Sequence, residues 1–198
     1  MKQLNQKLLR TGLAVVIAVG AVVSQTAAAL EPAKVEAALK DAYNKYKGLQ
    51  EGANADYIPV LAKVDPNIFG ITLVTTDGKV YSVGDVKSEV SIQSISKVFT
   101  MAKVIEESGT TSISENMGVD ATGQVFNSIV AIEQYQGEEM NAMVNPGAIT
   151  ATSMIKGANG EEVWNTIINT YNDFAGRELR VDEEVYKSEA DTNQRNQA

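Results

Sequence analysis

The chain of 198 residues contains no histidine and no cysteine. These absences exclude a Ser-His-Asp triad, a Cys-His nucleophile pair, a zinc finger, haem or iron–sulfur ligation and any disulfide. In an enzyme of this composition, proton transfers would fall to Lys, Asp, Glu or Tyr side chains. Apolar residues are not scarce, since 44% of the chain is hydrophobic and 21% is charged. That balance predicts a folded domain with a sizeable core and argues against intrinsic disorder.

The first 29 residues have the composition of a secretory signal peptide. Lys2, Lys7 and Arg10 form a basic start, residues 11–23 are uncharged and mostly apolar, and residues 27–29 are three alanines. A membrane anchor is the alternative, but a helix needs about 20 apolar residues to cross a bilayer, and this run has 13. We therefore predict cleavage after Ala29, a mature domain over residues 30–198, and a periplasmic or secreted location.

Positive charge is in short supply in the mature chain. The signal segment carries three positive and no negative charges, so its removal takes the formal net charge from −8 to −11. A chain of that charge repels phosphate backbones and anionic lipid head groups. We therefore expect neither nucleic acid nor, after signal cleavage, a membrane as a partner.

The pattern of apolar and turn-forming residues predicts both helices and a β-hairpin. Asp77-Gly78 is a strong turn signal between two short β-prone runs, 69–75 and 80–83. The other predicted elements are a helix over 32–47, a helix from Ser94 to about Gly109, a loop over 108–114, a helical stripe near 126–130, a chain break at 145–147 and a helix over 163–174. In the helix after Ser94, helical spacing predicts that the core side chains are Ile95, Val98, Phe99 and Ala102.

One short motif in this region could carry chemistry. Ser94 and Lys97 match S-x-x-K, which places a hydroxyl and an amine one helical turn apart on the same face. A serine is a poor nucleophile without a base, and a desolvated, neutral lysine can be that base where histidine is absent. The alternative is a helix start with a solvated lysine. The apolar neighbours Ile95, Val98 and Phe99 favour the reactive pair, because they could desolvate the amine.

The segment around the motif, SIQSISKVF at residues 91–99, resembles the signature of the serine-dependent glutaminases. Further segments resemble the same family in the same order: 54–59, 64–66, 69–71, 126–128, 145 with 147–149, 174–177, 188–189 and 195–196. Together they extend over residues 51–198. The resemblance implies an α/β (α+β) domain with the serine β-lactamase-like fold, also found in DD-peptidases and penicillin-binding proteins, and L-glutamine as the small-molecule substrate. It implies no metal and no organic cofactor.

The resemblance also implies roles for individual residues. Ser94 would be the nucleophile and Lys97 its general base. The substrate-binding side chains would be Tyr57, Asn145, Glu189 and Asn196, together with Ser94. A carboxylate suits the substrate ammonium and amide groups suit its α-carboxylate. Simpler structural roles remain open for three of them: a turn cap for Asn145, a solvated charge for Glu189 and a core aromatic for Tyr57.

The sequence also departs from the family pattern. Residues 121–123, 140–142 and 145–148 differ from the usual motifs, and Pro146 is predicted to hold Asn145 in an extended conformation. The tyrosine-bearing motifs and the Lys-Ser-Gly strand of the family do not follow Asn196. This predicts that 30–198 is the N-terminal part of a glutaminase domain, truncated at its C-terminus, weakly active and marginally stable.

Two other functions stay open at this point. A penicillin-recognising serine hydrolase uses the same S-x-x-K, although S-D-N and K-T-G are absent from the chain. A non-catalytic fragment that serves as a binding or interaction module is the second. The apolar faces of an incomplete domain would favour association with another chain, so a homo-oligomer is also open.

Overall fold

The computed structural model describes residues 31–134 and 141–194. The predicted signal peptide and the predicted ligand Asn196 lie outside these residues. The described elements are α1 (Pro32–Tyr46), β1 (Gly70–Val74), β2 (Val80–Gly84), α2 (Ser96–Ser108), α3 (Thr111–Asn116), α4 (Ile129–Gln134), α5 (Asn145–Ser153), α6 (Gly160–Ala175) and α7 (Glu183–Thr192). Short 3₁₀ turns cover Leu61–Lys63 and Gln93–Ile95. Within the described residues no helix is both long and apolar enough to cross a membrane.

The chain divides into two compact units, of which the first comprises residues 31–48 and 69–86. In this unit β1 and β2 form the predicted antiparallel hairpin, with Gly70 paired to Gly84 and Val74 paired to Val80. Gly78 takes a φ of 81° in the connecting turn, a conformation that glycine adopts without steric cost. Helix α1 buries Val35 and Leu39, as its helical periodicity predicts.

The second unit comprises residues 49–68, 87–134 and 141–194 and is mostly helical. Helix α2 packs against α3, α5 and α6. The hydrophobic core of the second unit consists of Val104, Ile113, Met117, Ala142, Ala151, Ile155 and Ile167. A smaller cluster joins α7 to the turn around Ile58, since Val185 packs there with Ile58 and Leu61. This unit contains every described residue of the predicted site.

Three predictions about this unit were wrong. The buried side chains of α2 are Thr100 and Val104, whereas Ile95 and Val98 are 63% and 48% exposed. Part of the predicted loop at 108–114 is helical, because α3 begins at Thr111. The predicted break at 145–147 is instead the first turn of α5, so Asn145 is not extended. Proline is tolerated there, because backbone N–H groups in a first helical turn have no partner within the helix.

Candidate active site

The second unit contains a cavity of about 720 Å³ that gathers the predicted site residues. Among the residues that line it are Tyr57, Ser94, Lys97, Asn145 and Glu189. These residues come from positions spread over more than 130 residues of sequence. The structure thus brings together every predicted site residue that it describes.

Ser94 lies in the 3₁₀ turn that leads into α2. The residue before it, Gln93, has a φ of 42°, which makes it the only non-glycine residue with positive φ in the described part of the chain. Ser94 is exposed to the cavity, and its side chain has no hydrogen-bond partner among the described residues. A hydroxyl in this position is accessible to a ligand that enters the cavity.

Lys97 is half-buried one helical turn after Ser94. Its amine donates to the Met143 carbonyl at 3.0 Å and to Oδ1 of Asn145 at 2.6 Å. It also lies 5.7 Å from the centroid of the Phe126 ring. Burial lowers the pKa of Lys97 below its ordinary value. The direction is the one expected from the sequence, but the predicted desolvating neighbours Ile95 and Val98 are mostly exposed.

The two partners of Lys97 have a chemical consequence. A backbone carbonyl and an amide oxygen can only accept hydrogen bonds. A neutral lysine amine has two N–H groups and one lone pair, so two acceptors can use both N–H groups and leave the lone pair directed elsewhere. The arrangement at Met143 and Asn145 is therefore compatible with a lysine that accepts a proton.

Asn145 is held by its own backbone N–H, and the two residues before it are held by the side chain of Asn141. Its N–H donates to the Phe126 carbonyl at 2.7 Å. Just before it, Oδ1 of Asn141 accepts from the N–H groups of Met143 and Val144 at 2.9 and 3.2 Å. Because Oδ1 of Asn145 accepts from Lys97, only its amide NH2 has the chemistry to donate to a substrate carboxylate. Its side chain therefore does more than cap a turn.

Glu189 lies across the cavity on α7 and is half-buried. Its two oxygens accept from Nε2 of Gln93 at 3.5 Å and from Nδ2 of Asn193 at 3.2 Å. Tyr57 lines the same cavity and is 57% exposed, which does not fit a core aromatic. A half-buried carboxylate held by amides is likewise not a simple solvated charge. Both residues are placed where a ligand could reach them.

Sequence reasoning missed several contributors to the site. Gln93, Phe126 and Asn193 line the cavity, and the Met143 carbonyl binds Lys97. Gln93 could have been suspected, since it directly precedes the nucleophile. A backbone carbonyl has no signature in a sequence, so the role of Met143 could not have been found. Among the described residues no group of three or more acidic side chains is arranged to hold a metal ion.

Comparisons with known proteins identify the family to which the chain is similar. A family model described as "Glutaminase" matches residues 52–198. The chain is 48% identical to a glutaminase of Colwellia psychrerythraea over 83% of this chain and 53% of that protein. It is 42% identical to a glutaminase of Mycobacterium ulcerans over 84% of this chain and 52% of that protein. The chain thus spans about half the length of the curated relatives it matches.

Comparison with solved structures also matches the chain to glutaminases. The chain superimposes with a TM-score of 0.81 and 38% identity on the probable glutaminase YbaS, covering 84% of this chain and 54% of that one. For a probable glutaminase of Bacillus subtilis the TM-score is 0.72 at 28% identity, with 82% and 50% coverage. These neighbours have the serine β-lactamase-like fold, so the predicted fold class is confirmed. The chain belongs to the glutaminase family.

Proposed function

We propose that the cavity around Ser94 is the active site of a serine-dependent glutaminase that hydrolyses L-glutamine to L-glutamate and ammonia. The observation that carries the proposal is the environment of Lys97. Its amine faces the Ser94 cavity, has a lowered pKa, and is bonded to two groups that can only accept. A lysine with a lowered pKa releases its proton more readily than a solvated lysine, which suits it to act as a general base.

The proposed reaction begins with the transfer of the Ser94 hydroxyl proton to Nζ of Lys97. Oγ of Ser94 attacks the γ-carboxamide carbon, and the carbonyl oxygen becomes an oxyanion. The Ser94 N–H lies at the start of a helical turn and is suited to stabilise that oxyanion. The C–N bond then breaks, the leaving nitrogen takes the proton from Lys97, and ammonia departs. Water hydrolyses the resulting ester to glutamate and restores Ser94.

Substrate recognition follows from the charges around the cavity. Glutamine carries an ammonium and an α-carboxylate at the end remote from the reacting amide. Glu189 supplies the negative charge for the ammonium, and the amide NH2 of Asn145 can donate to the carboxylate. Tyr57 adds a phenolic hydroxyl at the cavity wall. Asn196 is proposed as a second amide ligand on the basis of family resemblance alone. The reaction needs neither a metal nor an organic cofactor.

The proposal is tested by measuring ammonia released from L-glutamine by the purified chain. Ser94→Ala should abolish turnover, because it removes the nucleophile. Ser96→Ala is the matched control: it deletes the neighbouring hydroxyl of the same cavity and should retain turnover. A chromogenic cephalosporin tests the penicillin-recognising alternative in the same assay. Binding of glutamine without turnover would instead support a binding module, and equal activity of both serine variants would refute Ser94 as nucleophile.

We also propose that the protein is exported, with residues 1–29 removed. The support is the order of basic, apolar and small residues at the N-terminus. Mass spectrometry of periplasmic or secreted material should show a chain that begins at Leu30, and an intact Met1 would contradict it. Sedimentation of the same material would test the predicted homo-oligomer.

A further inference from the structure

The cavity around Ser94 is larger than L-glutamine needs. Its volume is about 720 Å³, whereas cavities of about 300–1,000 Å³ hold ligands of drug size, and glutamine is a much smaller molecule. One part of the wall has no role in the proposed reaction. It lies along α5 and at the start of α6, and we call it the α5 groove; it is formed by Ala148, Ile149, Thr152, Ser153, Gly160 and Val163.

The α5 groove starts at Asn145 and follows one face of the helix. The next turn contributes Ala148 and Ile149, and the turn after that contributes Thr152 and Ser153, which is the spacing of side chains on a single helical face. With a rise of about 1.5 Å per residue, this face extends about 10 Å beyond Asn145. Gly160 leaves open space at the far end, since a Cβ there would meet nothing within 4 Å.

The wall of the α5 groove is uncharged and mostly apolar. Among the described residues that line the cavity, the charged side chains are Lys97 and Glu189, and neither belongs to the groove. The hydroxyls of Thr152 and Ser153 donate to backbone carbonyls of α5 itself, at 2.8 and 2.7 Å. Because these O–H groups are used within the helix, the groove suits an apolar group better than one that needs hydrogen-bond donors.

The proposed reaction brings the amide end of the substrate close to the α5 groove. The leaving nitrogen must come within about 3 Å of Nζ of Lys97 to take its proton. That amine lies 2.6 Å from Oδ1 of Asn145, the residue at which the groove starts. Glu189, which is proposed to bind the ammonium, lies on α7 and draws the amino-acid end of the substrate away from α5. A substituent on the amide nitrogen would therefore extend toward the groove.

We propose that the α5 groove binds an apolar substituent on the amide nitrogen, so that the site also hydrolyses N-alkyl γ-amides of L-glutamate. This inference rests on the proposed glutaminase function. The bonds that form and break are the same: Ser94 Oγ attacks the γ-carbonyl carbon, the C–N bond breaks, and the nitrogen takes the proton from Lys97. A primary alkylamine leaves in place of ammonia, and water then releases glutamate and restores Ser94.

The test measures glutamate released by the full chain from L-glutamine and from its γ-N-methyl and γ-N-hexyl derivatives. Full burial of one methylene group is worth up to about fourfold in affinity, and the groove is open on one side, so kcat/KM should rise about tenfold or more from the methyl to the hexyl amide. This comparison needs no variant. A hexyl amide that is hydrolysed no better than the methyl amide would overturn the inference.

A pair of variants tests whether the hexyl chain lies along α5. In Thr152→Phe the larger side chain lies back over the preceding helical turn and fills the groove. The hexyl-to-methyl ratio of kcat/KM should then fall about tenfold, which is the gain from burial that the groove supplied. Thr192→Phe is the matched control: that threonine is also exposed, and its hydroxyl also donates to a carbonyl one turn earlier, but it does not line the cavity. Equal ratios in the two variants would overturn the inference.

A dipeptide distinguishes the other end of the substrate. L-glutaminyl-L-norleucine keeps the free γ-amide and carries its apolar extension on the α-carboxyl group. If Thr152→Phe impairs hydrolysis of this dipeptide and not of the hexyl amide, the groove belongs to the α-carboxyl end, and the inference is wrong. Each of these contrary results leaves hydrolysis of L-glutamine intact, whereas a chain that does not hydrolyse L-glutamine would refute both the proposed function and the inference.

Discussion

Nζ of Lys97 and Oδ1 of Asn145 lie 2.6 Å apart, although 48 residues separate them in the sequence. The contact joins the helix that follows Ser94 to the first turn of α5. The side-chain amide of Asn145 therefore has two possible roles. Its oxygen accepts a hydrogen bond from Lys97 and positions that amine, and its NH2 group can donate to the substrate carboxylate. The charge state of Lys97 is thus sensitive to what occupies position 145.

The pH dependence of turnover should report this contact. In the proposed mechanism the neutral amine of Lys97 is the active form, and burial lowers the pKa of that amine. The rate constant kcat/KM should therefore rise with pH and level off above an apparent pKa that is lower than 10.5. Asn145→Asp places a carboxylate beside the amine and favours its protonated form. The apparent pKa of the alkaline limb, the part of the profile in which kcat/KM rises with pH, should increase by about 1–3 units. Asn127→Asp, which adds the same charge to the same cavity without a bond to Lys97, is the control. A limb that does not move in Asn145→Asp would contradict Lys97 as the base.

Lys97→Arg should abolish turnover while leaving the chain folded. The substitution keeps the positive charge and a long side chain, but a guanidinium stays protonated at any pH at which the protein survives. Ammonia release and circular dichroism should be measured on the same preparation. Glutaminase activity retained in a folded Lys97→Arg chain would remove the general base from the mechanism.

The sequence predicted the local features of this chain well. The hairpin follows from Asp77-Gly78 between β-prone runs, and the buried face of α1 follows from the spacing of Val35 and Leu39. Ser94 and Lys97 line the same cavity, and this placement is likewise local, since three positions separate them. Each of these features is determined by residues within a few positions of one another.

The features that depend on distant packing were not predictable in the same way. Helix α2 has apolar residues on two faces, and the sequence could not decide between Val98 and Val104 as the buried one. Pro146 is compatible with a chain break and with a first helical turn, and only the packing of α5 distinguishes them. The Met143 carbonyl comes to Lys97 from a different element and through the backbone.

Gly147→Ala should destabilise the chain and disturb the site. A Cβ at this position would collide with the Asn141 carbonyl oxygen, and Asn141 is itself bonded to the N–H groups of Met143 and Val144. We expect the free energy of unfolding to fall by about 1–3 kcal/mol and turnover to fall with it. Gly160→Ala is the control, because its Cβ would meet nothing within 4 Å. Urea unfolding of both variants checks the prediction, and equal stabilities would show that the α5 turn accommodates the methyl group.

The hydroxyl groups of Thr100 and Tyr171 are hydrogen-bonded to each other, and removing one or the other should lower the free energy of unfolding by different amounts. The two oxygens lie 2.5 Å apart, and the Thr100 hydroxyl also donates to the Ser96 carbonyl at 3.2 Å, so Tyr171 is the donor within the pair. In Tyr171→Phe, Thr100 keeps its bond to Ser96, and the loss should be about 0.5–1.5 kcal/mol. In Thr100→Val, the half-buried Tyr171 hydroxyl loses its partner, and the loss should be about 1–3 kcal/mol. The double variant should cost less than the two single changes together, since no hydroxyl is then left unpaired. Denaturant unfolding of the three variants measures this, and strictly additive losses would mean that the pair does not couple α2 to α6.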